Sequence, residues 1–373
     1  MTKLPEFFLG IGLGLGYLTS FRFSYKIGVS EILILCSTLF LFKRYGTNFF
    51  SFSKDHKGFL KLYFFFVFLF QLPFFSSINY LNSGHFFIVL YSFSFFLAFF
   101  LTFLLVNGLR KKEIDMELVT ILFFYSFLFT NFLIFYFSDF KLGIGRYQGG
   151  ANNPNQLLFY SSSLSLLLVM YKKKLALIGL PVITLIMFKT GSDAYFLTFT
   201  ISVFFIFLYF FIYSNNFSIG LRSIIFSFVF LILIFFALFF YQEEIINIWF
   251  DSDQGNGRTF LMSKSVSGVL ESPLFGWGIG GFMEVSNSHS TPIDFALRFG
   301  LGFSFLIYLT MFLFVLKKLK RREVFQAAFA TAYISSGLFH FSGRHFDFWV
   351  IFAVFYYHVF YKDQNENISI KPA

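Results

Sequence analysis

His289 and Arg298 are the two side chains whose chemistry best suits a reaction on a phosphorylated substrate. They stand nine residues apart in the segment HSTPIDFALRFGLG. A neutral imidazole can take a proton from a hydroxyl group near physiological pH, and a guanidinium can hold the oxygens of a departing phosphate. We therefore take both as candidate catalytic residues. The sequence alone also allows His289 a purely local role, as a capping or hydrogen-bonding residue in a Ser-rich turn.

Four more basic residues are candidate ligands for a diphosphate or a glycan, and all lie in or beside polar loops between apolar segments: Arg146, Lys189, Arg258 and Arg344. Arginine offers a planar fork that binds two phosphate oxygens at once. Simpler roles compete with this interpretation. Each cation can reach lipid headgroups or close an ion pair, and Lys189 has Asp193 as a nearby acidic residue in KTGSDAY.

The sequence lacks the patterns that hold a metal or a nucleotide. No set of His, Cys, Asp or Glu residues has metal-ligand spacing, and no G-x-x-x-x-G-K-[ST] loop is present. Cys36 is the one cysteine, which excludes a framework of disulfides within the chain. We predict no cofactor, so the substrate itself must supply the energy of the reaction.

The composition places these residues in a membrane protein. Of 373 residues, 57% are hydrophobic and 13% are charged, against roughly 25% charged in soluble domains. Apolar runs of about 17 to 25 residues recur, and each can cross a hydrocarbon core of roughly 30 Å as a helix. We predict an all-α fold, with one polytopic membrane domain over residues 1–373 and about twelve transmembrane helices. The predicted spans are 5–19, 27–42, 59–78, 85–107, 118–137, 156–171, 175–188, 194–213, 224–241, 297–316, 324–341 and 346–361.

Basic residues are concentrated in alternate loops, which sets the predicted orientation. Clusters occur within 43–57, 110–112, 172–174 and 317–322. By the positive-inside rule these loops and both termini are cytoplasmic. The formal charge of +10 reflects this topology. Because no basic run alternates with aromatic residues in a polar segment, we predict no nucleic-acid partner.

Two polar segments on the external side are long enough to form a site, 138–155 and 242–295. The second lies between the ninth and tenth predicted spans. Its apolar residues over 259–270 recur at helical spacing, which predicts a short interfacial helix lying on the membrane. The GWGIGG that follows requires a turn that few side chains can adopt, and it returns the chain towards the bilayer. We predict that these loops form the active site.

Three stretches resemble motifs of the O-antigen ligase and polymerase superfamily. GRYQGGANNPNQ is similar to the family's external R-x-x-G followed by N-P-N, and GR followed by PLFGWGIGGF is similar to its R…P-l-f-G-x-G pattern. HSTPIDFALRFGLG is similar to its H-[NS]-x-x-[ILF]…G-x-x-G. The resemblance covers about residues 140–316. The chain departs from the ligase form at Ser290, where Asn is expected, and in KTGSDAY, where the family often has Ser-Arg.

The resemblance implies an inverting glycosyl transfer on the external face of a bacterial plasma (inner) membrane. Arg146, Arg258 and Arg298 would hold the diphosphate of an undecaprenyl-diphosphate-linked glycan, and His289 would activate the acceptor hydroxyl. The repeat-unit polymerase is the preferred activity, because the external loop is modest and the His pattern departs from the ligase form. An O-antigen ligase, which transfers the glycan to lipid A core, is the alternative.

A flippase for lipid-linked oligosaccharides is the alternative of another class. Transporters of that kind usually have two related halves and charged groups near the middle of the membrane. Here the two halves are unlike, and the candidate groups gather on one face. Membrane lipid is an expected partner, and the sequence leaves open whether a chain-length regulator binds.

Overall fold

The computed structural model describes residues 3–19, 28–45, 86–137, 147–151, 154–190, 258–278, 288, 290–338 and 345–361. Within these ranges the chain forms eleven helices and no strand, which confirms the all-helical prediction. The helices are α1 (Leu4–Leu15), α2 (Val29–Tyr45), α3 (Phe86–Arg110), α4 (Met116–Phe137), α5 (Pro154–Tyr171), α6 (Lys173–Lys189), α7 (Arg258–Glu271), α8 (Thr291–Phe299), α9 (Leu301–Lys320), α10 (Val324–Leu338) and α11 (Phe346–Phe360).

Eight of the twelve predicted spans each overlap one helix of the structure, and a ninth, 297–316, is divided between two helices. The other three, 59–78, 194–213 and 224–241, lie outside the described residues. By length and composition, two helical segments of the described ranges could cross a membrane, Met116–Tyr136 and Leu301–Lys320. Shorter apolar helices occur at Leu4–Leu15, Ser94–Arg110 and Phe346–Phe360.

The predicted span 297–316 is wrong as one continuous helix, because the chain breaks at Gly300. Gly300 has φ +87°, which side chains rarely adopt, and it lies directly against the carbonyl oxygen of Leu274. A β-carbon at position 300 would overlap that oxygen. The segment therefore divides into the short helix α8 and the long helix α9.

Large aromatic residues join the helices into one core. Helix α1 packs against α2 and α4, α5 against α4, α6 and α10, and α11 against α3, α5 and α9. The ring of Trp349 on α11 lies 5.3 Å from that of Phe99 on α3 and 5.9 Å from that of Phe295 on α8. Such contacts fix how α8 is seated on the bundle.

The described basic turns meet at one end of the bundle, which we call the basic end. Lys3 Nζ lies 2.8 Å from Asp115 Oδ2, and Lys172 pairs with Glu117. At the end of α2, Arg44 forms an ion pair with Glu6 of α1 at 3.9 Å. At the end of α3, the Arg110 guanidinium lies over the Tyr361 ring, just after α11, at 5.0 Å. At the end of α9, Lys317 Nζ donates a 2.6 Å hydrogen bond to the His358 carbonyl oxygen of α11.

The other helix ends meet at what we call the opposite end. There the hydroxyl groups of Tyr17, just after α1, and Thr130, near the end of α4, share a 2.7 Å hydrogen bond. Thr19 donates a 3.0 Å hydrogen bond to Gln156 in the first turn of α5. Helices α5, α9 and α11 begin at this end and run to the basic end.

Candidate functional site

The structure describes three of the six predicted site residues. Arg298 lies in the last turn of α8 and its side chain is buried, with 7% exposed. Lys189 is the last residue of α6 and is exposed, and Arg258 is the first residue of α7. The other three, Arg146, His289 and Arg344, lie outside the described residues.

Two of the three sequence motifs are joined by their backbones at the opposite end. The amides of Trp277 and Gly278 donate to the carbonyl oxygens of Leu297 and Arg298, at 2.8 and 2.9 Å. One turn away, the Leu301 amide donates to the Pro273 carbonyl at 2.8 Å. The PLFGWG segment therefore lies along the end of α8, next to Arg298.

Gly276 permits this close approach. Its φ is +67°, and a β-carbon there would lie 2.5 Å from the carbonyl carbon of Arg298. Glycine is the residue that adopts such a conformation without steric cost. The glycines of GWGIGG at 276 and 278 both have positive φ, in agreement with the turn expected there.

Helix α7 supports the joined motifs. It occupies the segment predicted as a helix over 259–270. Val269 packs against Ala296 and Leu297 of α8, and Trp277 Nε1 donates a 2.7 Å hydrogen bond to the Gly268 carbonyl. The turn that follows α7 leaves Leu274 and Phe275 73% and 72% exposed, an apolar edge beside the site.

The chain on both sides of position 289 is held by a buried polar turn. The Ser288 amide donates to Asp294 Oδ1 at 3.2 Å, and the Ser290 amide donates to Ser288 Oγ at 3.1 Å. Ser288, Ser290 and Asp294 are all buried. The N-cap position of α8 is occupied by Ser290, one residue after His289. The turn therefore fixes Ser288 and Ser290, the two neighbours of His289.

Residues 147–151, the described end of the first polar segment, meet the end of α6. The Tyr147 amide, directly after Arg146, donates to the Lys189 carbonyl oxygen at 2.9 Å. The Tyr147 hydroxyl donates to Asn131 Oδ1 at 3.0 Å, and burial raises the Tyr147 pKa to about 12. The phenol therefore stays protonated at neutral pH and can keep this donor role. The structure thus brings Tyr147, the residue after Arg146, next to Lys189.

A polar cluster that the sequence did not reveal lies at the start of α11. Ser163 Oγ on α5 donates a 2.6 Å hydrogen bond to Asp347 Oδ2. Asp347 is 1% exposed, and its other carboxyl oxygen has no hydrogen-bond partner within the described part of the chain. The ring of His345, which follows Arg344, lies 5.6 Å from the ring of Tyr160.

The signal for this cluster was present in the sequence, as an Asp in the apolar run FDFWVIFAVF and as the SSSLS of α5. Polar groups inside a membrane are costly and are commonly functional. The cluster is connected to α8, because the ring of Phe295 lies 5.4 Å from that of Phe348, the residue after Asp347. Arg298 and Asp347 therefore lie on helices that pack together.

No group of three or more His, Cys, Asp or Glu residues that could hold a metal occurs in the part of the chain that the structure describes. The polar groups that the site offers are hydroxyls, carboxylates, backbone amides and the Arg298 guanidinium. Together they can bind anions and hydroxyl groups and can move protons. Comparison with models of protein families, with curated proteins and with solved structures finds no match for this chain.

Proposed function

We propose that this chain is a polytopic membrane enzyme that polymerises glycan repeat units carried on undecaprenyl diphosphate. About twelve helices would cross a bacterial plasma membrane, with both termini in the cytoplasm. The reaction would take place at the opposite end of the bundle, facing outwards. The donor would be one lipid-linked glycan and the acceptor a hydroxyl group of another.

The membrane orientation is supported by the charge distribution of the described helices. The lysines and arginines of four turns meet at the basic end, as the positive-inside rule requires of a cytoplasmic face. Exposed faces between the two ends carry large apolar side chains, among them Phe132 on α4, Leu185 on α6 and Phe305 on α9. Such a surface suits hydrocarbon better than water.

The observation that carries the proposed activity is the backbone pairing of 277–278 with 297–298. This pairing brings two motif segments together, and the buried Arg298 lies beside it at the opposite end of the bundle. A buried guanidinium there is placed to stabilise an anion in a medium of low dielectric constant, where such an interaction is strong. The resemblance of these segments to the superfamily supplies the identity of the anion, a diphosphate.

The proposed reaction replaces one carbon–oxygen bond by another and moves one proton. The acceptor hydroxyl oxygen attacks the anomeric carbon of the donor, and the bond from that carbon to the diphosphate oxygen breaks with inversion. His289 takes the hydroxyl proton, and undecaprenyl diphosphate leaves with the bonding electrons. Arg298 stabilises the departing diphosphate while His289 removes the proton. The remaining candidate cations bind the diphosphate or the glycan: Arg146, Arg258, Lys189 and Arg344.

The test uses a strain that lacks the chromosomal copy and carries His289→Ala. General-base assistance is worth about 10² to 10⁴ in rate, so we expect long chains to disappear at normal protein abundance. A polymerase defect gives single repeat units on lipid A core, whereas a ligase defect leaves long chains on undecaprenyl diphosphate. A flippase defect traps unextended units on the cytoplasmic side. Silver-stained gels and extracted lipid-linked glycans separate these outcomes.

Two further variants sharpen this test. His289→Asn keeps a hydrogen-bonding side chain but no base, so full activity in His289→Asn would assign the residue a local role in its turn. Arg298→Lys keeps the charge but loses the bidentate fork, and we expect most polymer to be lost. Arg321→Lys, at the basic end, is the matched control and should leave the ladder unchanged. Normal ladders from Arg298→Lys would contradict diphosphate binding by Arg298.

A further inference from the structure

We propose that a groove at the basic end, the lysine groove, binds an anionic phospholipid of the cytoplasmic leaflet. The groove has a volume of about 520 Å³. Its walls come from the first turns of α4 and α6, and the end of α5 lies between them. It lies at the other end of the bundle from Arg298, so the proposal goes beyond the glycan site.

The charge of the groove selects an anion. Lys172, Lys173 and Lys174 line it together with one acid, Glu117, so its formal charge is three minus one, or +2. Glu117 forms an ion pair with Lys172. Lys173 and Lys174 are exposed, so both ammonium groups are available to a headgroup. Basic pockets between helices on the cytoplasmic side are the sites where anionic lipid headgroups bind.

The end of α5 closes the groove between its two walls. Met170 and Tyr171, its last two residues, line the groove together with Lys172. The three lysines therefore surround a recess between helices and not merely a diffuse positive surface.

The groove opens onto two apolar surfaces that suit acyl chains. Tyr125 lines the groove on α4, and Phe129 and Phe132 continue along the same helix, 61% exposed each. On α6 the exposed Ile178 and Leu185 lie two turns apart on one face. A free phosphate would use the lysines alone, whereas a phospholipid uses the lysines and both apolar surfaces. The continuity of these surfaces with the groove favours the lipid.

A glycine of α6 leaves room for a ring of α4 near the groove. A β-carbon at Gly179 of α6 would lie 2.8 Å from Cε2 of Phe124 on α4. The Phe124 ring therefore fills part of the space between the two walls of the groove.

The experiment is native mass spectrometry of the full-length protein in detergent, with phosphatidylglycerol or phosphatidylcholine of the same acyl chains as probes. We expect the protein to bind phosphatidylglycerol more tightly, and salt to weaken that binding. The double variant Lys173→Gln, Lys174→Gln should lose about fivefold in affinity per lysine. The matched control is Lys111→Gln, Lys112→Gln, which removes the same charge at another turn of the basic end and should change the affinity less than twofold.

Equal binding of the two lipids, or equal losses in the two double variants, would overturn the proposal. So would displacement of the lipid by an equal concentration of glycerol phosphate, which has the headgroup without the chains. None of these measurements uses a glycan donor, so they are independent of the proposed polymerase.

Discussion

Ser163 on α5 and Asp347 on α11 are joined by a 2.6 Å hydrogen bond although 184 residues separate them. Both side chains are buried, at 0% and 1% exposure. The bond links α5, which follows the first polar segment, to α11, the last of the described helices. The start of α11 is therefore fixed against the rest of the opposite end.

Ser163→Ala should destabilise the protein, because it leaves the buried Asp347 carboxylate without its hydroxyl donor. The expected loss is about 1 to 3 kcal/mol. The matched control is Ser162→Ala, since among the described residues the Ser162 hydroxyl donates to the Leu158 carbonyl of its own helix. Thermal unfolding in detergent, followed by size-exclusion chromatography of heated samples, measures both. Equal losses in the two variants would show that the bond to Asp347 contributes nothing.

Gly276→Ala should disrupt the turn that pairs with the Arg298 backbone. A left-handed conformation costs an ordinary residue about 1 to 2 kcal/mol, and the new β-carbon would also press on the Arg298 backbone. We expect loss of polymer together with a lower melting temperature. Ser267→Ala, at an exposed position of α7, is the control. An active and fully stable Gly276→Ala protein would contradict the backbone pairing.

The ion pair between Lys3 and Asp115 should make stability depend on pH at the basic end. Burial raises the Asp115 pKa, but the Lys3 hydrogen bond and the Leu118 amide outweigh it, and the net pKa is lowered. The Asp115 hydrogen bond and charge raise the Lys3 pKa. The contribution of the Asp115 charge to the free energy of unfolding is thus fully present above its unfolded pKa of about 4, and it is lost as the pH falls through the lowered folded-state pKa. The contribution of the Lys3 charge to the free energy of unfolding is fully present below its unfolded pKa of about 10.5, and it is lost as the pH rises through the raised folded-state pKa.

The measurement is the difference in melting temperature between the wild type and Asp115→Asn across this pH range. Asparagine can still accept the Leu118 amide hydrogen bond that caps α4, so the variant removes the charge alone. We expect a small difference at neutral pH, because both side chains are partly exposed. The difference should vanish in strong acid. A difference that persists there would assign the effect to something other than the ion pair.

The orientation predicts which ends are accessible from outside the cell. In a Cys36→Ser background, Ser267→Cys on α7 should react with a membrane-impermeant thiol reagent in intact cells. Lys111→Cys, at the basic end, should react only after the membrane is permeabilised. Both positions are exposed in the structure, so access to the reagent depends on the side of the membrane. Labelling of Lys111→Cys in intact cells would reverse the orientation.

Hydrophobic runs predicted the order and approximate bounds of the described helices, because each apolar segment must be helical to satisfy its backbone groups. The break at Gly300 was not predictable in the same way. It depends on the close approach of Leu274, a contact between segments that hydropathy does not encode. The sequence therefore indicated a single span where the structure has α8 and α9.

The candidate site was predictable only in part. Glycine-rich and polar segments identified the GWGIGG turn and Arg298, since such residues are rare between apolar helices. The Asp of FDFWVIFAVF and the serines of SSSLS are visible in the sequence as polar residues in apolar runs, but their pairing was not predictable. Ser163 and Asp347 are 184 residues apart, and no local pattern shows which residues of two distant segments meet.

The three backbone bonds between 273–278 and 297–301 also bear on how such a site can diversify. They close the intervening chain into a loop whose two ends are fixed beside Arg298. Closure entropy grows slowly with length, and doubling a flexible loop costs only about 0.6 kcal/mol. Changes of length or sequence within 279–287 would therefore cost little in closure, so an engineer could vary that stretch while Arg298 keeps its place.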